Sequence, residues 1–482
     1  MDQENNLRIY EIPDGVDIKR DFSVFVRLEG TEEWRESRCY EVKVDMHEVR
    51  RASMTYFDFE GKVNVKIRFN NYMDIYQVDI RPKSRKIIPV FTEREIYFSL
   101  EHPENLSIEV NRDRFHNLHL FAGEIQESVL DTTDKEVRIL KGDLQKPVVH
   151  SMHDMDRIFK ETGEGRTLYF EPGIHYFEEC IWKIPSETDI YIAGGAVIVG
   201  SFVCDGISKV KIRGRGVVYQ TCFGRFSSLR GVRVSKSRNV LIEGITFINP
   251  PHYTVYIGGS ESITVRNIKA FSCEGWSDGI DVMSSSNILI ENVFMRNSDD
   301  CIALYGRRWE YNGDTYDILV RKSTLWADVA HPTNIGCHGD SEREGNVIEN
   351  IVFNDIDILE HHEPQKQCQG CMCINAGDKN TVRNVKYENI RIESIEYGKL
   401  LDIQIICGRY NQDSGKCIEN IYFRDIFFDG YGERTSEIKG EDEKRYVKNI
   451  VFDNLVIRGE RAVTASQANI HIGEYAYNVS FG

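Results

Sequence analysis

The chain has 482 residues, more than one hydrophobic core usually serves, so we expect two domains. Its proportions of apolar and charged residues are typical of a soluble globular protein. The net charge of −16 argues against nucleic acid and against an anionic membrane surface as partners.

The N-terminus and the cysteines bear on the cellular location. The segment Met1–Leu7 contains no basic region followed by an apolar core, so we expect no secretion signal. No apolar run approaches the length of a membrane span. Twelve cysteines at irregular spacings predict reduced thiols. We therefore expect a cytoplasmic protein without a membrane partner.

Residues 1–148 are predicted to form an antiparallel β-sandwich. Apolar residues alternate with polar or smaller ones in Phe22–Leu28 and in Val63–Phe69. A period of two is typical of half-buried antiparallel strands. This region offers no catalytic group of residues, and its charged positions are interpreted as solvated faces.

A short helix is predicted where the pattern changes. Ser151 resembles a helix start, Met152, Met155 and Phe159 are spaced for one helical face, and Gly163 is a helix stop signal. Strand patterns follow directly. We interpret the helix as a cap that covers the open end of a solenoid.

Residues 149–482 contain an internal repeat. Short segments that begin with a polar residue and continue with alternating apolar residues share one register, starting at Asn239, Ser262, Asn287, Asp317, Asn346, Thr381, Cys417 and Val447. The first starts are 23 and 25 residues apart, and later loops lengthen the period. Short strands repeated in this way, with Asn and Gly at the turns, predict a parallel β-helix.

Three carboxylates stand at the turns of this repeat. Asp278 precedes the strand pattern of Asn287–Val293, and Asp299 and Asp300 follow it. Clustered carboxylates suit general acid/base chemistry on an acetal, because like charges at close range separate their pKa values. His338 and Tyr410 follow later repeats, so we expect all five side chains along one groove that binds a chain-like substrate.

These motifs resemble those of the polygalacturonase family of glycoside hydrolases. The family motifs N-T-D-G-x-D, D-D-C-I-A and G-H-G correspond to Ser277–Asp281, Asp299–Ala303 and Gly336–Gly339. The distance of 21 residues from Asp278 to Asp299 also fits the family pattern. The resemblance covers about residues 150–482 and implies a right-handed parallel β-helix.

The resemblance also implies inverting hydrolysis in a single displacement. Asp299 would be the general acid, Asp278 and Asp300 would together activate the attacking water, and His338 would hydrogen-bond near Asp299. Inverting carboxylates are usually about 6.5–9.5 Å apart, which we expect here. Asp281 is expected to point inward or to stabilise a turn. No metal or other cofactor is implied.

The chain departs from the polygalacturonase pattern in its substrate-binding motif. The family motif R-I-K, which holds a sugar carboxylate, should lie near Cys371–Ile374, where no cation stands. A buried carboxylate needs a charged partner, so the departure argues against galacturonate.

Other segments resemble the dextranase and isopullulanase family, whose members carry a β-sandwich before the helix and cut neutral glucans. They are Leu106–Glu109, Asn117–Ala122 and the continuation Leu304–Arg308 after the acid pair. Arg307 and Arg308 offer another route to an acidic sugar, or they lie on the rim of the groove. The predicted substrate-binding residues are Trp276, Tyr305, Arg307, Arg308 and Tyr410.

Two other sites compete for the polar residues near the acids. One alternative is a zinc site formed by His361, His362, Cys368, Cys371 and Cys373, although their spacing fits no common zinc motif. The second alternative is a cysteine nucleophile paired with a histidine.

That pair would be Cys337 with His338. Neighbours in sequence point to opposite faces of a strand, so the pair is disfavoured.

The sequence thus predicts a hydrolase of oligosaccharides from plant or microbial polysaccharide, exo-acting and with a substrate that is acidic or neutral. One rival is a β-helix lyase or transferase, in which the aspartates bind Ca²⁺. The other is a carbohydrate-binding solenoid without catalytic activity. The oligomeric state is left open.

Overall fold

The computed structural model describes residues 6–125, 130, 132–162, 167–227 and 229–482. Within them the chain forms a β-sandwich followed by a long parallel β-helix, which confirms the predicted all-β fold. The sandwich strands are β1 (Leu7–Ile9), β2 (Phe22–Leu28), β3 (Arg35–Ser37), β4 (Tyr40–Val44), β5 (Arg50–Phe59), β6 (Val63–Phe69), β7 (Val78–Arg81), β8 (Val90–Phe91), β9 (Glu95–Leu100), β10 (Glu104–Val110) and β11 (Asp113–Glu124).

The sandwich consists of two sheets. One has the order β1-β5-β11-β10-β7 with β4 beside β5, and the other has the order β3-β2-β6-β9-β8. The alternating residues predicted to face inward in β6, among them Val63, Val65 and Ile67, are buried between the sheets. The pairing is antiparallel except between β5 and β11, which run parallel.

The β-helix has three parallel sheets, named here the first, second and third sheet in the order in which each coil visits them. Strands of the first sheet are β12 (Val137–Leu140), β14 (Thr167–Phe170), β16 (Asp189–Ile192), β18 (Ser208–Gly214), β21 (Arg238–Glu243), β24 (Glu261–Arg266), β27 (Ser286–Glu291) and β43 (Ala476–Phe481). Strands that continue from the first sheet into the second are β32 (Thr315–Val329), β34 (Val347–Glu360), β36 (Thr381–Ile392), β38 (Cys417–Phe428) and β40 (Tyr446–Ile457).

The second sheet also contains β13 (Val148–His150), β19 (Val217–Tyr219), β22 (Thr246–Ile248), β25 (Lys269–Phe271) and β28 (Phe294–Ser298). Strands β15 (Gly173–Lys183) and β17 (Ala196–Asp205) continue from the second sheet into the third. The third sheet is completed by β20 (Val232–Ser235), β23 (Val255–Gly258), β26 (Ile280–Met283), β29 (Ile302–Tyr305), β33 (Thr333–Ile335), β35 (Gly370–Ala376), β37 (Lys399–Ile405), β39 (Ser436–Lys439) and β42 (Ile470–Ile472). Strand β41 (Glu460–Arg461) pairs antiparallel with the end of β40, and β30 (Arg307–Arg308) and β31 (Tyr311–Asn312) form a separate hairpin.

The β-helix begins before residue 149. Strand β12 already pairs in parallel with β14, so the first coil starts at Val137. The predicted cap is α1 (Met152–Thr162), and Ser151 begins it by accepting a 3.1 Å hydrogen bond from the Asp154 amide. Met155 and Ile158 pack into the solenoid core, so α1 covers this end.

Part of the helix prediction cannot be compared. The predicted contacts of Met152 and Phe159 and the stop at Gly163 lie outside what the structure describes. In the described part of the chain, no helix has the length and apolar character that a membrane span requires.

Asparagines recur near the start of several repeats and stack from coil to coil. Asn350, Asn384 and Asn420 have φ values of 57°, 55° and 57°, a left-handed conformation that asparagine tolerates. Their side-chain amides form a ladder that starts at Asp317, with distances of 3.0, 3.3 and 3.2 Å. The ladder fixes the corner between the third and first sheets.

The sandwich packs on the outer face of the second sheet. Residues of the sandwich in this shared core are Tyr40, Val42, Met54, Tyr56 and Phe121, and those of the second sheet are Val197, Val217, Ile248, Phe271, Phe294 and Trp326. A buried 2.8 Å ion pair joins Asp58 to Arg215 across the same interface. This packing leaves the turns between the second and third sheets accessible.

Candidate active site

The acids lie at the turns between the second and third sheets. Asp278 and Asp300 each stand two residues before a third-sheet strand, and Ile280 pairs with Ile302 in the ladder. Neighbouring rungs are about 4.8 Å apart, so these side chains stack. His331 occupies the same place in the following coil, two residues before Thr333, which pairs with Ile302.

The turn that carries Asp278 is held by hydrogen bonds to backbone carbonyls of the next coil. The Ser277 hydroxyl donates to the Ser298 carbonyl at 3.0 Å, and the Gly279 amide donates to the Asp300 carbonyl at 2.8 Å. A Cβ at Gly279 would lie 2.3 Å from the Cys301 carbonyl oxygen. Glycine is therefore required directly after the acid, which explains this part of the motif.

The three carboxylates form one cluster. One oxygen from each of Asp278, Asp299 and Asp300 lies within 4.8 Å of the other two. These oxygens are thus closer together than the roughly 6.5–9.5 Å expected between the carboxyl groups. The reason is geometric, because two of the acids are sequence neighbours and the third is one rung away.

Asp300 is held as a charged carboxylate by its donors. One oxygen accepts from His331 Nδ1 at 2.5 Å and from the His331 amide at 3.1 Å. The other accepts from Asn334 at 2.8 Å and from the Tyr305 hydroxyl at 3.4 Å. Burial alone would raise the pKa of Asp300, but the charge and hydrogen bonds of His331 outweigh it and lower the pKa.

His331 is charged in this arrangement. Its Nε2 contacts the Cys368 carbonyl and lies 4.0 Å from Glu363. Burial disfavours the imidazolium, yet the Asp300 carboxylate raises the pKa of His331 well above its usual value. The sequence-based search missed this residue, although its position two residues before a third-sheet strand matches that of Asp278 and Asp300.

Asp299 holds a proton more strongly than its neighbour Asp300 does. It is partly exposed and accepts a 3.0 Å hydrogen bond from the Trp276 amide. Burial, and then the nearby Asp300 charge, raise the pKa of Asp299 to about 6. Two adjacent carboxyl groups thus differ in proton affinity, which is the division that acid/base chemistry requires.

Asp281 lies beneath the cluster. The expectation that it points inward or stabilises a turn is wrong, since its neighbours Ile280 and Val282 fill the solenoid core and Asp281 alternates to the outer face. Burial and then Asp300 hold the pKa of Asp281 high. Burial and then Asp281 do the same for the pKa of Asp278, so these two groups favour the protonated form.

His338 contacts the groove but not in the predicted way. Its Nε2 lies 2.8 Å from a guanidinium nitrogen of Arg308, and its ring packs 4.9 Å from that of Tyr305. Burial, and then Arg308, lower the pKa of His338 to about 3, so the ring is neutral and accepts this hydrogen bond. The histidine bonded to the acid pair is His331, because His338 follows its third-sheet strand instead of preceding it.

A hairpin formed by β30 and β31 crosses the groove on the N-terminal side of the acids. The Tyr311 hydroxyl lies 2.6 Å from the Ser235 hydroxyl, and the Tyr311 ring packs directly against Gly258. Ser235 and Gly258 end third-sheet strands of two earlier coils. The hairpin therefore covers the groove floor there, and Tyr256 beneath it is buried.

Arg307 anchors the base of this hairpin. It forms ion pairs with Asp340 at 3.0 Å and with Glu342 at 3.2 Å. The prediction that Arg307 binds substrate stays a prediction, and its charge is already paired in this structure. Tyr305, also predicted to bind substrate, is buried under the acids and supports Asp300.

Exposed aromatic residues stand on both sides of the acids. Trp276 is 47% exposed, and Tyr410 is 46% exposed with its ring 6.5 Å from that of His338. Flat apolar rings at the rim of a groove suit the faces of sugars. Trp276, Tyr410 and Arg308 are the predicted binding residues that the structure places at this groove.

The five residues of the possible zinc site do not come together. His361 contacts the Gln369 carbonyl at 3.0 Å, and His362 contacts Glu396 at 2.8 Å. Cys371 lies in the solenoid core, away from the groove. Among the described residues, the only group with metal-ligand proximity is the aspartate cluster itself.

The nucleophile pair is also disfavoured by the structure. Cys337 is buried, and contact with Cys368, followed by burial, raises the pKa of the Cys337 thiol well above its usual value. A thiol must ionise to act as a nucleophile, so this environment opposes the role.

Comparison with known proteins places this groove in a family. A family model described as glycosyl hydrolases family 28 matches residues 185–475. A probable endopolygalacturonase D of Neosartorya fischeri is 25% identical over 230 residues, covering 47% of this chain and 43% of the relative. A probable exopolygalacturonase B of Aspergillus terreus is 26% identical over 203 residues, covering 39% and 43%. The chain thus spans less than half the length of these two curated relatives.

Solved structures support the fold along the whole chain. Dex49A from Penicillium minioluteum is similar with a TM-score of 0.62 at 15% identity, covering 98% of this chain and 96% of that one. A family 28 exopolygalacturonase of Yersinia enterocolitica has a TM-score of 0.53 at 10% identity, covering 86% and 96%. With the family model matching more than half of its residues, the chain belongs to glycosyl hydrolases family 28.

Proposed function

We propose that the protein hydrolyses glycosidic bonds, with Asp299 as general acid and Asp300 as the charged base. The observation that carries this proposal is the pairing of opposite proton affinities, since the pKa of Asp299 is raised to about 6 and that of Asp300 is lowered. An acetal needs a proton on the leaving oxygen and a base for water. A broad glycan panel tests it, and binding without release of sugar would contradict it.

The attacking water is proposed to lie between Asp278 and Asp300. A water bound to two oxygens at about 2.7 Å each can span oxygens up to roughly 5 Å apart. Their carboxylate oxygens are within 4.8 Å of each other, which fits one shared water. In this arrangement Asp300 takes the proton, and Asp278 orients the water.

A single displacement by this water inverts the anomeric centre. We therefore expect the first-formed product, followed by proton NMR within the first minutes, to have the anomer opposite to that of the cleaved bond. The short spacing makes this a sharp test, because retaining pairs are usually about 5–5.5 Å apart. A product with the retained anomer would contradict direct attack by the shared water and would indicate a covalent intermediate.

The proposed mode is exo-acting. The hairpin of β30 and β31 covers the groove floor beside the acids, so a long chain has no continuous path across them. The proposed substrates are oligosaccharides from plant or microbial polysaccharide, and relatives with endopolygalacturonase and exopolygalacturonase names support this class. Release of one terminal sugar at a time from labelled oligosaccharides would support the mode.

A neutral sugar is a second candidate substrate, and it would bind in the part of the groove on the other side of the acids. The third-sheet position that follows Asn334 in the ladder is Cys373, and the next outward residue is Asn375. Neither carries a charge. A neutral glucan would therefore meet no unmatched cation on that part of the floor.

A lyase reaction is the main enzymatic rival. The aspartate oxygens lie close enough together to hold a hard divalent cation such as Ca²⁺. We expect chelator to leave the rate unchanged and the product to lack the near-ultraviolet absorbance of an unsaturated sugar. Loss of activity in chelator together with such absorbance would favour the lyase.

A reducing compartment is proposed for the protein. All twelve cysteines have free thiols, and most are buried. Cytoplasmic action on imported oligosaccharides fits this proposal and the exo-acting mode. Fractionation of the source cells tests it.

A further inference from the structure

The β-sandwich exposes a group of large apolar side chains at one of its ends. They lie in the loop between β6 and β7 and beside β8, and they are Tyr72, Met73, Tyr76, Ile88 and Val90. Tyr72 is 86% exposed and Tyr76 is 73% exposed. The two segments lie side by side, because the Ile75 amide donates to the Glu93 carbonyl at 2.9 Å. We call residues 71–77 the tyrosine loop.

Arg94 holds the first half of the tyrosine loop. Its guanidinium group donates to the Tyr72 carbonyl at 3.1 Å and to the Met73 carbonyl at 3.3 Å. The same group forms a 2.9 Å ion pair with Asp74. One side chain thus fixes three successive residues of the loop.

Asn111, in the turn between β10 and β11, holds the second half. Its side-chain oxygen accepts from the Tyr76 amide at 2.9 Å, and its side-chain nitrogen donates to the Asp74 carbonyl at 2.9 Å. Ile75, between these contacts, is buried in the core of the sandwich. The loop is therefore ordered while both tyrosine rings face solvent, so a ligand can bind the rings with little further ordering of the loop.

Planar polar side chains surround the exposed rings. Arg112 Nε donates to the Gln77 side-chain oxygen at 2.9 Å, and the Gln77 side-chain nitrogen donates to Asp79 at 2.7 Å. The charges here occur in both signs side by side, as in the pair of Arg94 with Asp74. Aromatic rings beside amide and guanidinium groups suit the apolar faces and the hydroxyl groups of uncharged sugars.

The edge strand beside the loop is poorly suited to pair with a second copy of the chain. Strand β8 has only two residues, and Pro89 directly before it has no amide hydrogen to donate to another strand. A short edge strand preceded by proline opposes pairing between sheets. These features favour a small-faced ligand such as a sugar over a second β-sheet.

The tyrosine loop lies at the end of the sandwich that reaches the groove. At this end the Met46 amide donates at 3.1 Å to the hydroxyl of Ser298, the residue before Asp299. Arg114, at the start of β11, forms a 2.5 Å ion pair with Glu396, in a later turn between the second and third sheets. The hairpin of β30 and β31 covers the groove on the other side of the acids, so the uncut part of a bound chain leaves on this side.

We propose that the tyrosine loop is a second, non-catalytic sugar-binding site, which holds an uncharged stretch of the glycan chain whose end is cut in the groove. The inference goes beyond the proposed hydrolysis and rests on it only for the class of ligand. The rings of Tyr72 and Tyr76 pack on sugar faces, and the neighbouring polar groups bind sugar hydroxyls. Held at two places, a long chain dissociates from the enzyme more slowly than a short one.

Affinity electrophoresis tests the site without turnover. Asp299→Asn protein is run in native gels that each contain one neutral polysaccharide (dextran, pullulan, galactan or arabinan) and in a gel with polygalacturonan. At least one neutral polysaccharide should retard it, and Tyr72→Ala with Tyr76→Ala should weaken the apparent affinity roughly tenfold or more. Tyr431→Ala, at a tyrosine that is 76% exposed on the β-helix, is the matched control and should leave the retardation unchanged.

Three results of this experiment would overturn the proposal. They are no retardation by any neutral polysaccharide, retardation that the double tyrosine variant leaves unchanged, and retardation by polygalacturonan alone. Sedimentation over a range of protein concentrations adds a fourth. A dimer that forms in the wild type and is lost in the double variant would show that the loop binds a second copy of the chain.

Chain length separates the tyrosine loop from the groove. With an otherwise wild-type enzyme, the double tyrosine variant should leave kcat/KM for the shortest cleaved oligosaccharide unchanged. It should raise KM for the longest soluble substrate roughly tenfold and leave kcat unchanged. Equal losses on short and long substrates would point to damage in the fold or the groove and would contradict the assignment.

The two proposals can fail separately. If no glycan is cleaved but a neutral polysaccharide retards the protein through the two tyrosines, the sugar-binding site stands and the hydrolysis fails. If glycans are cleaved but the double variant binds and cleaves all of them as the wild type does, the hydrolysis stands and the sugar-binding site fails.

Discussion

Asp299→Asn should reduce kcat by about 10²- to 10⁴-fold on natural oligosaccharides, the usual contribution of a general acid. An amide cannot give a proton to the leaving oxygen. The substitution keeps the size of the side chain and an oxygen that can accept from the Trp276 amide, now 3.0 Å away. The fold should therefore be retained, as measured by the thermal unfolding midpoint.

A substrate with a good leaving group makes this test specific to the acid. An aryl glycoside with an acidic phenol leaves without protonation, so Asp299→Asn should lose far less activity on it. Asp300→Asn should lose activity on both substrates, because the base is needed in each case. Asp453→Asn, at an exposed ion pair with Arg424, is the matched control. Equal losses of Asp299→Asn on both substrates would remove the acid role.

The repeat carried most of the information that the sequence contains about the fold. Alternating apolar residues and polar turn residues predict stacked coils because each coil must bury the same face against its neighbours. The cluster of Asp278, Asp299 and Asp300 is predictable for the same reason, since two of them are adjacent and the third occupies an equivalent turn. The short distances between the carboxylate oxygens follow from the distance between neighbouring rungs. The expected 6.5–9.5 Å did not take that distance into account.

His338 was expected beside Asp299 because the motif was matched by letters and not by position in the coil. Gly336–Gly339 resembles G-H-G, but it follows β33, whereas Asp278 and Asp300 precede their strands. Counting back two residues from β33 gives His331, which binds Asp300. Position within the repeat is therefore a better guide to convergence than a short motif.

The three arginines around His252 could not be predicted in this way. Arg225 and Arg230 lie in an irregular segment between β19 and β20, and Arg308 lies in the hairpin. Such segments do not repeat, so no register relates them to the acids. Their convergence around His252 depends on the path of each loop, which only the structure gives.

His331→Gln should move the whole pH profile of kcat/KM to higher pH. In the wild-type enzyme the acid limb reports the ionisation of the base Asp300. Burial would raise the pKa of Asp300, but His331 outweighs burial and lowers it. Removing that cation raises the pKa of Asp300, so activity is lost at acid pH, with the acid limb shifting by roughly 1–3 units. Profiles measured from pH 3 to 9 would show the change.

The alkaline limb should move in the same direction. It reports the proton of Asp299, whose pKa of about 6 is raised by burial and Asp300 and partly lowered by His331. Without His331 the acid holds its proton to higher pH, so activity persists further into the alkaline range. A merely structural role for His331 would lower the rate at every pH and leave both limbs in place.

His338→Gln is the matched comparison for this prediction. The His338 ring is neutral above about pH 3 because burial and Arg308 lower its pKa. Its removal deletes a contact with Arg308 but no charge, so the limbs should stay where they are while KM rises. Without His331, Asp300 is a buried charge that has lost its cation, and this change costs about 3–5 kcal/mol of stability. The positions of the limbs do not depend on the fraction of folded protein, so the comparison holds even if the variant is less stable. An acid limb that moves in His338→Gln and not in His331→Gln would reverse the two assignments.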